Sequence, residues 1–545
     1  MDKLVTEGSA ETRFAVSATA SALLLPYVAI YLLNLWSLSH YQFFPVLIAA
    51  VVWIGRERWD RTLCQPPPAV TLALLSAAFL FAAAAVLFAS TWVGYLAFLL
   101  ALASSLIQMR DRSGGSLASL LVPLLLIWQP PYSPNVGGDV ILIGRLQQVS
   151  AAVASQWLDI AGFVHTAPGT ILELPGRSFG VAEACSGVQS FFALLCFASL
   201  LIVYQRRHAV HAVLLLTTSV FWAVLMNTVR ITAIPVAHEL SGFDLSEGVA
   251  HDALGYATMG IAMALLYSTD QLLTVLGFNI VGLGRLLPER FSHPILPADR
   301  IDGRVSSHRW RAADLLRSPI AVAVLVAFLG AGGLQAYDIA ASWGQQRGQI
   351  DFFRGNVFLT VAEGDAPESM GSGWVRVGHR SENRERGADL GERSDVWSYA
   401  GPFGTASASF DQAFPGWHEL TKCYELAGMR LVGRTVHPPS EQDPWPLVVA
   451  ELTSDAGQHS LLVFSLFDQA GRPLDAPGQW DYWTALRERI VNRLSPSVRG
   501  SLFAAAAYQV QLFVPGQERI DEATVTASID AFREFRTALR TAALD

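Results

Sequence analysis

Residues 209 to 229 read AVHAVLLLTTSVFWAVLMNTV, a run without Asp, Glu, Lys or Arg. A helix needs about 20 mostly apolar residues to cross the hydrocarbon core of a bilayer, so this run predicts a membrane-spanning helix. Similar runs occur along the first two thirds of the chain, and two shorter ones are flanked by Trp, Tyr or Pro. We therefore expect eight or nine transmembrane helices, at about 14–34, 42–55, 68–89, 91–108, 116–129, 186–204, 209–229, 251–274 and 319–337.

The composition agrees with a membrane protein and excludes several other classes. Hydrophobic residues make up 52% of the chain and charged residues only 15%. The net charge of -8, with no basic stripe, argues against a nucleic-acid partner. The four cysteines have unrelated spacings, so neither a disulfide scaffold nor a metal site is expected, and no cofactor is indicated.

Arginine placement predicts the orientation, because cytoplasmic loops accumulate Arg and Lys near the membrane. If all nine spans are real, arginines at 56–61, 110–112, 206–207 and 285–317 fall on one side, which is then the cytoplasm. The loops at about 130–185 and 231–250, and everything after about 338, then lie outside the cytoplasmic membrane. Dropping one short span would break this alternation.

The chain therefore divides into an all-α polytopic membrane domain and a soluble, extracytoplasmic α+β domain. The second is predicted from apolar-rich strands at Val357–Val361, Val448–Leu452 and His459–Phe467 and from helices at about 480–493 and 523–541. The expected boundaries are 1–277 for a catalytic membrane domain, 278–318 for a basic cytoplasmic linker, 319–337 for a further transmembrane helix and 338–545 for the outer domain.

Three polar residues occupy the predicted outer ends of three different membrane helices. Cys185 follows a probable hairpin at Thr170–Val181 and stands at a helix start, where the helix dipole lowers the pKa of a thiol. Arg230 is placed at the outer end of the 209–229 helix, where it could stabilise an oxyanion, bind a carboxylate, complement the helix dipole or snorkel. His251 opens the next helix, where the dipole favours a neutral ring that can accept a proton.

The neighbours of these residues add to the pattern. Asn227 lies three residues before Arg230 on the same helical face, and Gly255 lies one turn after His251, which allows another backbone to approach closely. Glu183 and Asp252 are candidates to orient His251 or a substrate, or else are surface acids. A Cys, an Arg and a His at three helix ends on the same side indicate one site.

Glu183-Ala-Cys185-Ser-Gly187, Asn227-Thr-Val-Arg230 and His251-Asp-Ala-Leu-Gly255 resemble the three signature motifs of the exosortase/archaeosortase family, in the family's order. The resemblance covers roughly residues 14–275. It implies Cys185 as the nucleophile, Arg230 as the transition-state stabiliser and His251 as the acid/base. It also implies substrates that are exported proteins with a C-terminal tail of short motif, transmembrane helix and basic cluster, which are cleaved and transferred to an acceptor.

The outer domain resembles, more loosely, the exosortase-associated periplasmic domain found fused to some members. The resemblance rests on Phe414-Pro-Gly-Trp417 with Cys423 nearby. Here the cysteine follows the Pro-Gly-Trp run instead of preceding it, so no catalytic role is carried onto Cys423, and a buried or free structural thiol is expected. Cys196, in mid-helix among Phe and Leu, is expected only to pack.

Two other functions stay open at this point. In a rhomboid-like serine protease, Ser186 would pair with His251, although Ala184 stands where Gly-x-Ser-Gly requires glycine. In a non-catalytic membrane scaffold for polysaccharide or protein export, the outer domain would bind partners and Cys185 would be dispensable. All three functions require contact with membrane lipid. The sequence does not identify the acceptor to which a cleaved protein would be transferred.

Overall fold

The structure is a computed structural model that forms two compact units, one holding most residues up to Ile339 and one holding the residues from Ala340. It describes residues 2–36, 38–129, 138–167, 171–174, 177–180, 187–246, 248–276, 318–345, 350–351, 355–356, 359–384, 391–414, 417–426, 428–440, 443–454, 457–468, 471–478 and 507–544. The predicted linker at 278–318 therefore lies almost wholly outside the described residues, as does the predicted helix at 480–493.

The first unit is built from helices, as its apolar runs predict. They are α1 (Asp2–Leu23), α2 (Leu25–Trp36), α3 (Phe44–Arg58), α4 (Pro68–Leu87), α5 (Thr91–Leu106), α6 (Leu121–Leu125), α7 (Gly138–Ala161), α8 (Gly187–Tyr204), α9 (Ala209–Ser241), α10 (Gly248–Val275) and α11 (Pro319–Gln345). Two hairpins join them, β1–β2 (Trp59–Leu63 with Met109–Asp111) and β3–β4 (Ile171–Leu174 with Arg177–Gly180).

A multi-pass membrane protein is supported, but the count of eight or nine spans is not confirmed. Within the described residues, four helices are long and apolar enough to cross a membrane: α4, α9, α10 and α11. The pair α1–α2, bent by 48°, gives a fifth candidate if it is one span, and α5 and α8 are shorter apolar helices.

The run at 116–129 contains only a 3-10 turn at Leu117–Leu120 and the five-residue helix α6. Its ends nevertheless lie at the two ends of α5. Ser116 pairs with Arg110 just beyond the end of α5, and the Gln129 carbonyl accepts a 2.9 Å hydrogen bond from the Trp92 indole at the start of α5. The segment thus runs alongside α5 without forming a long helix.

Three arginine-bearing loops meet at one end of the helices. Arg58 and Arg206 both donate to the buried Asp111 carboxylate, with 3.1 Å for Arg206, and Arg110 lies 3.6 Å from Asp60. Burial alone would raise the pKa of the Asp111 carboxyl, but hydrogen bonds from the Ser113 N–H, from Arg58 and from the Ser113 hydroxyl outweigh it and hold that pKa below its usual value. We call this end, defined by Arg58, Arg110, Asp111 and Arg206, the arginine face.

The arginine face is predicted to be cytoplasmic, because arginine is retained on that side of the membrane. Reporter fusions after Arg110, Arg207 and Arg300 should be active only with a cytoplasmic reporter, and a fusion at residue 400 only with a periplasm-active one. A periplasm-active fusion after Arg207 would overturn the orientation.

A helix that the sequence did not predict, α7, packs against the far part of α9. Ala151, Ala154 and Leu158 of α7 form one buried cluster with Leu172 and Leu174 of the predicted hairpin and with Ile231 and Ile234 of α9. The hairpin itself is confirmed, between Ile171 and Gly180. Together α7 and the hairpin cover α9 immediately beyond Arg230.

The second unit is an α+β domain, as predicted. Its elements are β5 (Ile350–Asp351), β6 (Gly355–Asn356), β7 (Ser369–Met370), β8 (Trp374–Asn383), β9 (Arg393–Gly401), β10 (Gly404–Phe414), α12 (Leu420–Leu426), β11 (Arg430–His437), β12 (Leu447–Thr453), β13 (His459–Asp468), β14 (Ala507–Gln517) and α13 (Glu522–Leu544). Eight of these strands form an antiparallel sheet in the order β11-β12-β13-β14-β10-β9-β8-β7.

The strands predicted at Val448–Leu452 and His459–Phe467 and the closing helix are confirmed. The strand predicted at Val357–Val361 is wrong over its described part, residues 359–361. There, the Gln412 side chain takes the place of a neighbouring strand: it accepts from the Leu359 N–H and donates to the Leu359 carbonyl, both at 2.7 Å. A side-chain amide satisfies that backbone, so no ladder forms.

Candidate active site

Arg230 lies inside its helix, not at the end. Helix α9 continues past it, through Pro235, to Ser241, and ends on Gly242 in the left-handed conformation. The expected position at the outer helix end is therefore wrong, and with it the possibility that Arg230 only complements a helix C-terminus, since that effect is confined to the last turn. Snorkelling fails too, because Arg230 is only 8% exposed.

His251 stands in the first turn of α10, as predicted, and the preceding loop holds its ring. The Asp244 carboxylate accepts from the Ser246 N–H at 2.8 Å, a local turn that encloses Leu245. The Leu245 carbonyl in turn accepts from His251 Nδ1 at 3.0 Å. The proton on Nδ1 leaves Nε2 as the acceptor of the neutral ring.

The Arg230 guanidinium meets that acceptor. Arg230 Nη2 donates to His251 Nε2 at 2.6 Å, so the two predicted site residues are brought into direct contact across α9 and α10. Since a guanidinium only donates, this bond agrees with the ring tautomer set by Leu245.

Gly255 makes the contact possible. A Cβ added to Gly255 would lie 3.2 Å from Arg230 Cζ and 3.2 Å from Nη2, tighter than ordinary packing. The sequence predicted a close approach at this glycine, and the approaching group is the guanidinium itself, where a backbone was expected. The plane of Arg230 is therefore fixed by the bare surface of α10.

Two buried polar atoms beside this pair have no hydrogen-bond partner among the described residues. They are Arg230 Nε, a donor, and Asn227 Oδ1, an acceptor. Both lie on the same face of α9, three residues apart. A buried polar atom without a partner costs free energy, so such atoms mark a place where a further group is expected to bind.

The remaining predicted site residues are not joined to this pair. Asp252 is exposed, and within the described residues it makes no hydrogen bond or ion pair with His251 or Arg230. Glu183, Cys185 and Ser186 lie outside the described residues; helix α8, which was expected to begin at about 186, begins at Gly187. Cys196 is buried in the apolar core of the helices, as predicted.

The sequence reading missed a second charged cluster, at the other end of the same helix pair. Arg207 and His211 both bond Asp270, at 2.8 Å from Arg207 Nε and 2.8 Å from His211 Nε2. At ~1.5 Å per residue, His211 and Arg230 are about 28 Å apart along α9, close to the thickness of a bilayer core. An ionisable residue inside an apolar run was the available signal.

These two contacts fix α9 against α10 at both ends, with Arg207–Asp270 on the side of the arginine face and Arg230–His251 on the other. Comparison with known families adds independent information. Residues 34–268 match the model of the transmembrane exosortase family, Exosortase_EpsH. The match supports assigning this part of the chain to that family.

The exosortase match confirms the resemblance drawn from the three motifs, all of which lie inside the matched range. The match ends before α11 and does not reach the second unit, so the looser resemblance of that domain stays a prediction. No curated protein and no solved structure matches the chain.

Proposed function

We propose that the chain is a membrane cysteine peptidase and transpeptidase in which Cys185, Arg230 and His251 form the active site. The observation that carries the proposal is the partly buried hydrogen bond from Arg230 to His251 Nε2. It joins two of the three residues on one face of a helix pair, inside the region that matches the exosortase family. Glu183, Asn227 and Asp252 stay candidates for binding or orienting the substrate.

The guanidinium has the position and the spare donor that oxyanion stabilisation needs. Arg230 Nε is buried without a described partner, while Nη2 is engaged with His251. Preorganised donors in a partly dry site act strongly on charge that develops in the transition state. The unpartnered Asn227 Oδ1 adds an acceptor for a peptide N–H next to the same carbonyl.

The reaction follows from these groups. His251 Nε2 takes the thiol proton of Cys185, the sulfur attacks a peptide carbonyl carbon, and Arg230 holds the oxyanion that forms. The C–N bond breaks, His251 Nε2 delivers a proton to the leaving amine, and a thioester remains on Cys185. An acceptor amine or water, deprotonated by His251, then attacks the thioester and releases the thiol. For His251 to act, Arg230 moves its hydrogen bond from Nε2 to the oxyanion.

The substrates we propose are exported proteins whose C-terminal tail consists of a short motif, an apolar helix and a basic cluster. With the arginine face in the cytoplasm, Arg230 and His251 lie near the outer surface of the cytoplasmic membrane, where such a tail emerges. The basic cluster would stay on the cytoplasmic side.

Processing of a tail-bearing reporter protein tests this function. The reporter carries one epitope before the tail and one after it, and is produced with and without the full-length enzyme. Cleavage is expected to separate the two epitopes only when the enzyme is present. A reporter that stays intact with abundant, membrane-inserted enzyme would contradict the function for that tail class.

Gly255→Ala tests whether the Arg230 position matters. The new Cβ would displace the guanidinium by a few tenths of an ångström, and we expect processing to slow by about 10-fold, because small misplacements of catalytic groups are costly. Gly260→Ala on the same helix is the matched control, since nothing lies within 4 Å of its added Cβ. Equal processing rates in the two variants would remove the positional role of Gly255.

A further inference from the structure

The sheet of the second unit has one apolar face and one face with a polar stripe. Directly opposed residues of antiparallel strands share a face, and the pairs Asp411–Gln509 and Ser409–Gln511 place four polar side chains together. The closing helix α13 covers the other face, where Phe535 packs on Trp397 and Tyr399. The short helix α12 lies on the polar side and brings Cys423 to the stripe.

At the end of this stripe a thiol, an imidazole and a carboxamide are linked in a chain of hydrogen bonds. Cys423 Sγ lies 3.2 Å from His418 Nε2, and His418 Nδ1 donates to Gln509 Oε1 at 2.9 Å. Gln509 is fully buried, and its Nε2 donates to the His418 carbonyl at 3.3 Å, so its amide orientation is determined. The ring therefore carries its proton on Nδ1 and accepts from the thiol at Nε2.

The surroundings hold this arrangement in place. The Phe414 ring stacks on the His418 ring with centroids 4.1 Å apart. The neighbouring Glu419 is buried, and its two carboxylate oxygens accept from Arg434 Nε at 3.1 Å and from Arg434 Nη2 at 3.0 Å. Burial lowers the pKa of His418, so the imidazole is neutral at pH 7 and available as a base.

The expected description of Cys423 as a buried structural thiol is thus incomplete. It is buried, at 8% exposure, in a cluster with Phe414, Leu420 and Phe464. Yet a thiol needs no oriented imidazole to pack in an apolar core, and His418 in turn has its own positioning group. Nucleophile, base and orienting amide in hydrogen-bond reach are the arrangement that activates a cysteine in Cys-His-Asn enzymes.

We propose that Cys423, His418 and Gln509 form a second thiol site, independent of Cys185, that accepts acyl groups from carboxylic esters and thioesters with apolar acyl parts. His418 Nε2 takes the thiol proton as sulfur attacks the acyl carbonyl carbon. The bond to the alcohol or thiol leaving group breaks, His418 returns the proton to it, and an S-acyl Cys423 remains. Cys423 and His418 touch the reacting atoms, whereas Gln509 is a positioning residue.

The test uses the full-length protein in detergent with Cys185→Ser, so that acylation at the first site cannot contribute. The probe is p-nitrophenyl acetate, and S-acetylation is followed at each cysteine by peptide mass spectrometry. Cys64 is the internal control, because it is more exposed than Cys423 and its thiol donates to a carbonyl, that of Gly115 at 3.4 Å, where the Cys423 thiol meets an imidazole. Burial also raises the pKa of the Cys64 thiol.

We expect Cys423 to be acetylated about 10-fold faster than Cys64, although Cys64 is the more exposed of the two thiols. His418→Ala should slow acetylation of Cys423 by about 10²-fold, the usual contribution of a general base. Gln509→Leu should slow it by about 10-fold, and Gln509→Glu, which keeps an acceptor for Nδ1–H, should restore most of the rate.

Cys423 and Cys64 are compared within one molecule, so this comparison needs no substitution at the proposed thiol site. Acetylation of Cys64 as fast as Cys423 would overturn the proposal. So would a His418→Ala protein that elutes and unfolds like its parent and still acetylates Cys423 at the parent rate. Neither outcome bears on Cys185, whose function is measured by reporter processing.

Discussion

Cys185→Ala is expected to abolish processing of the tail-bearing reporter. If Cys185 forms the thioester, its removal leaves no covalent route, and loss of a nucleophile from a concerted site can cost on the order of 10⁶-fold in kcat. Cys185→Ser should fail as well, because a serine hydroxyl is far harder to ionise than a thiol at a helix start. The measurement is the ratio of cleaved to intact reporter at equal amounts of membrane-inserted enzyme.

Cys196→Ala is the matched control for this experiment. Cys196 lies in α8, eleven residues after Cys185 in the sequence, and is buried in the apolar core, so its replacement should leave processing nearly unchanged. Robust processing by Cys185→Ala would contradict the thiol mechanism. Ser186→Ala then separates the two remaining readings: loss of processing favours a rhomboid-like serine protease, and continued processing favours a non-catalytic scaffold and another enzyme in the cell.

The apolar runs predicted the helices well because burial in lipid or in a helical core requires the same residues. They predicted helix ends poorly. The run that begins at Ala209 stops being apolar at Arg230, yet α9 continues to Ser241, since α7 and the β3–β4 hairpin bury its next turns. The end of an apolar run shows where the surroundings of a helix become more polar, and the helix itself can continue past that point.

Helix α7 itself was missed for a related reason. Its buried residues Ala151, Ala154 and Leu158 follow the i, i+3, i+7 spacing of a helix face, but two of the three are alanines, which give a weak apolar signal. A search for helical spacing, in addition to apolar length, would have found it.

The candidate site was predictable in composition and only partly in geometry. The motifs placed Arg230 and His251 on one side of the membrane, and the structure joins them at 2.6 Å. The depth of Arg230 depends on how far α9 extends, and that depends on packing against α7. Likewise, His418 and Cys423 are near in sequence, but Gln509 reaches them only through the pairing of β14 with β10, which no local pattern encodes.

Arg230→Lys separates catalysis from anchoring more sharply than the cysteine variants do. Lysine keeps the positive charge but has a single ammonium group. The planar guanidinium packs on Gly255, donates from Nη2 to His251 and leaves Nε as a second donor without a described partner. A lysine ammonium cannot provide both donors in this fixed geometry. We expect processing to slow by about 10²–10³-fold, the usual cost of losing one oxyanion contact, with normal enzyme levels in the membrane.

Arg207→Lys is the matched control for Arg230→Lys. Arg207 is a buried arginine at the other end of the same helix pair, and its guanidinium fork pairs with Asp270. A lysine there also loses the fork but keeps a positive charge beside Asp270, so this variant measures the structural cost of the exchange away from the proposed site. Processing per membrane-inserted enzyme should stay within a few-fold of wild type. Uncleaved reporter is measured beside membrane-inserted enzyme for wild type, both lysine variants and Arg230→Ala. If Arg230→Lys processes the reporter at the wild-type rate, a point charge suffices at this position, the oxyanion role is lost, and only Cys185 and His251 remain as the proposed catalytic pair.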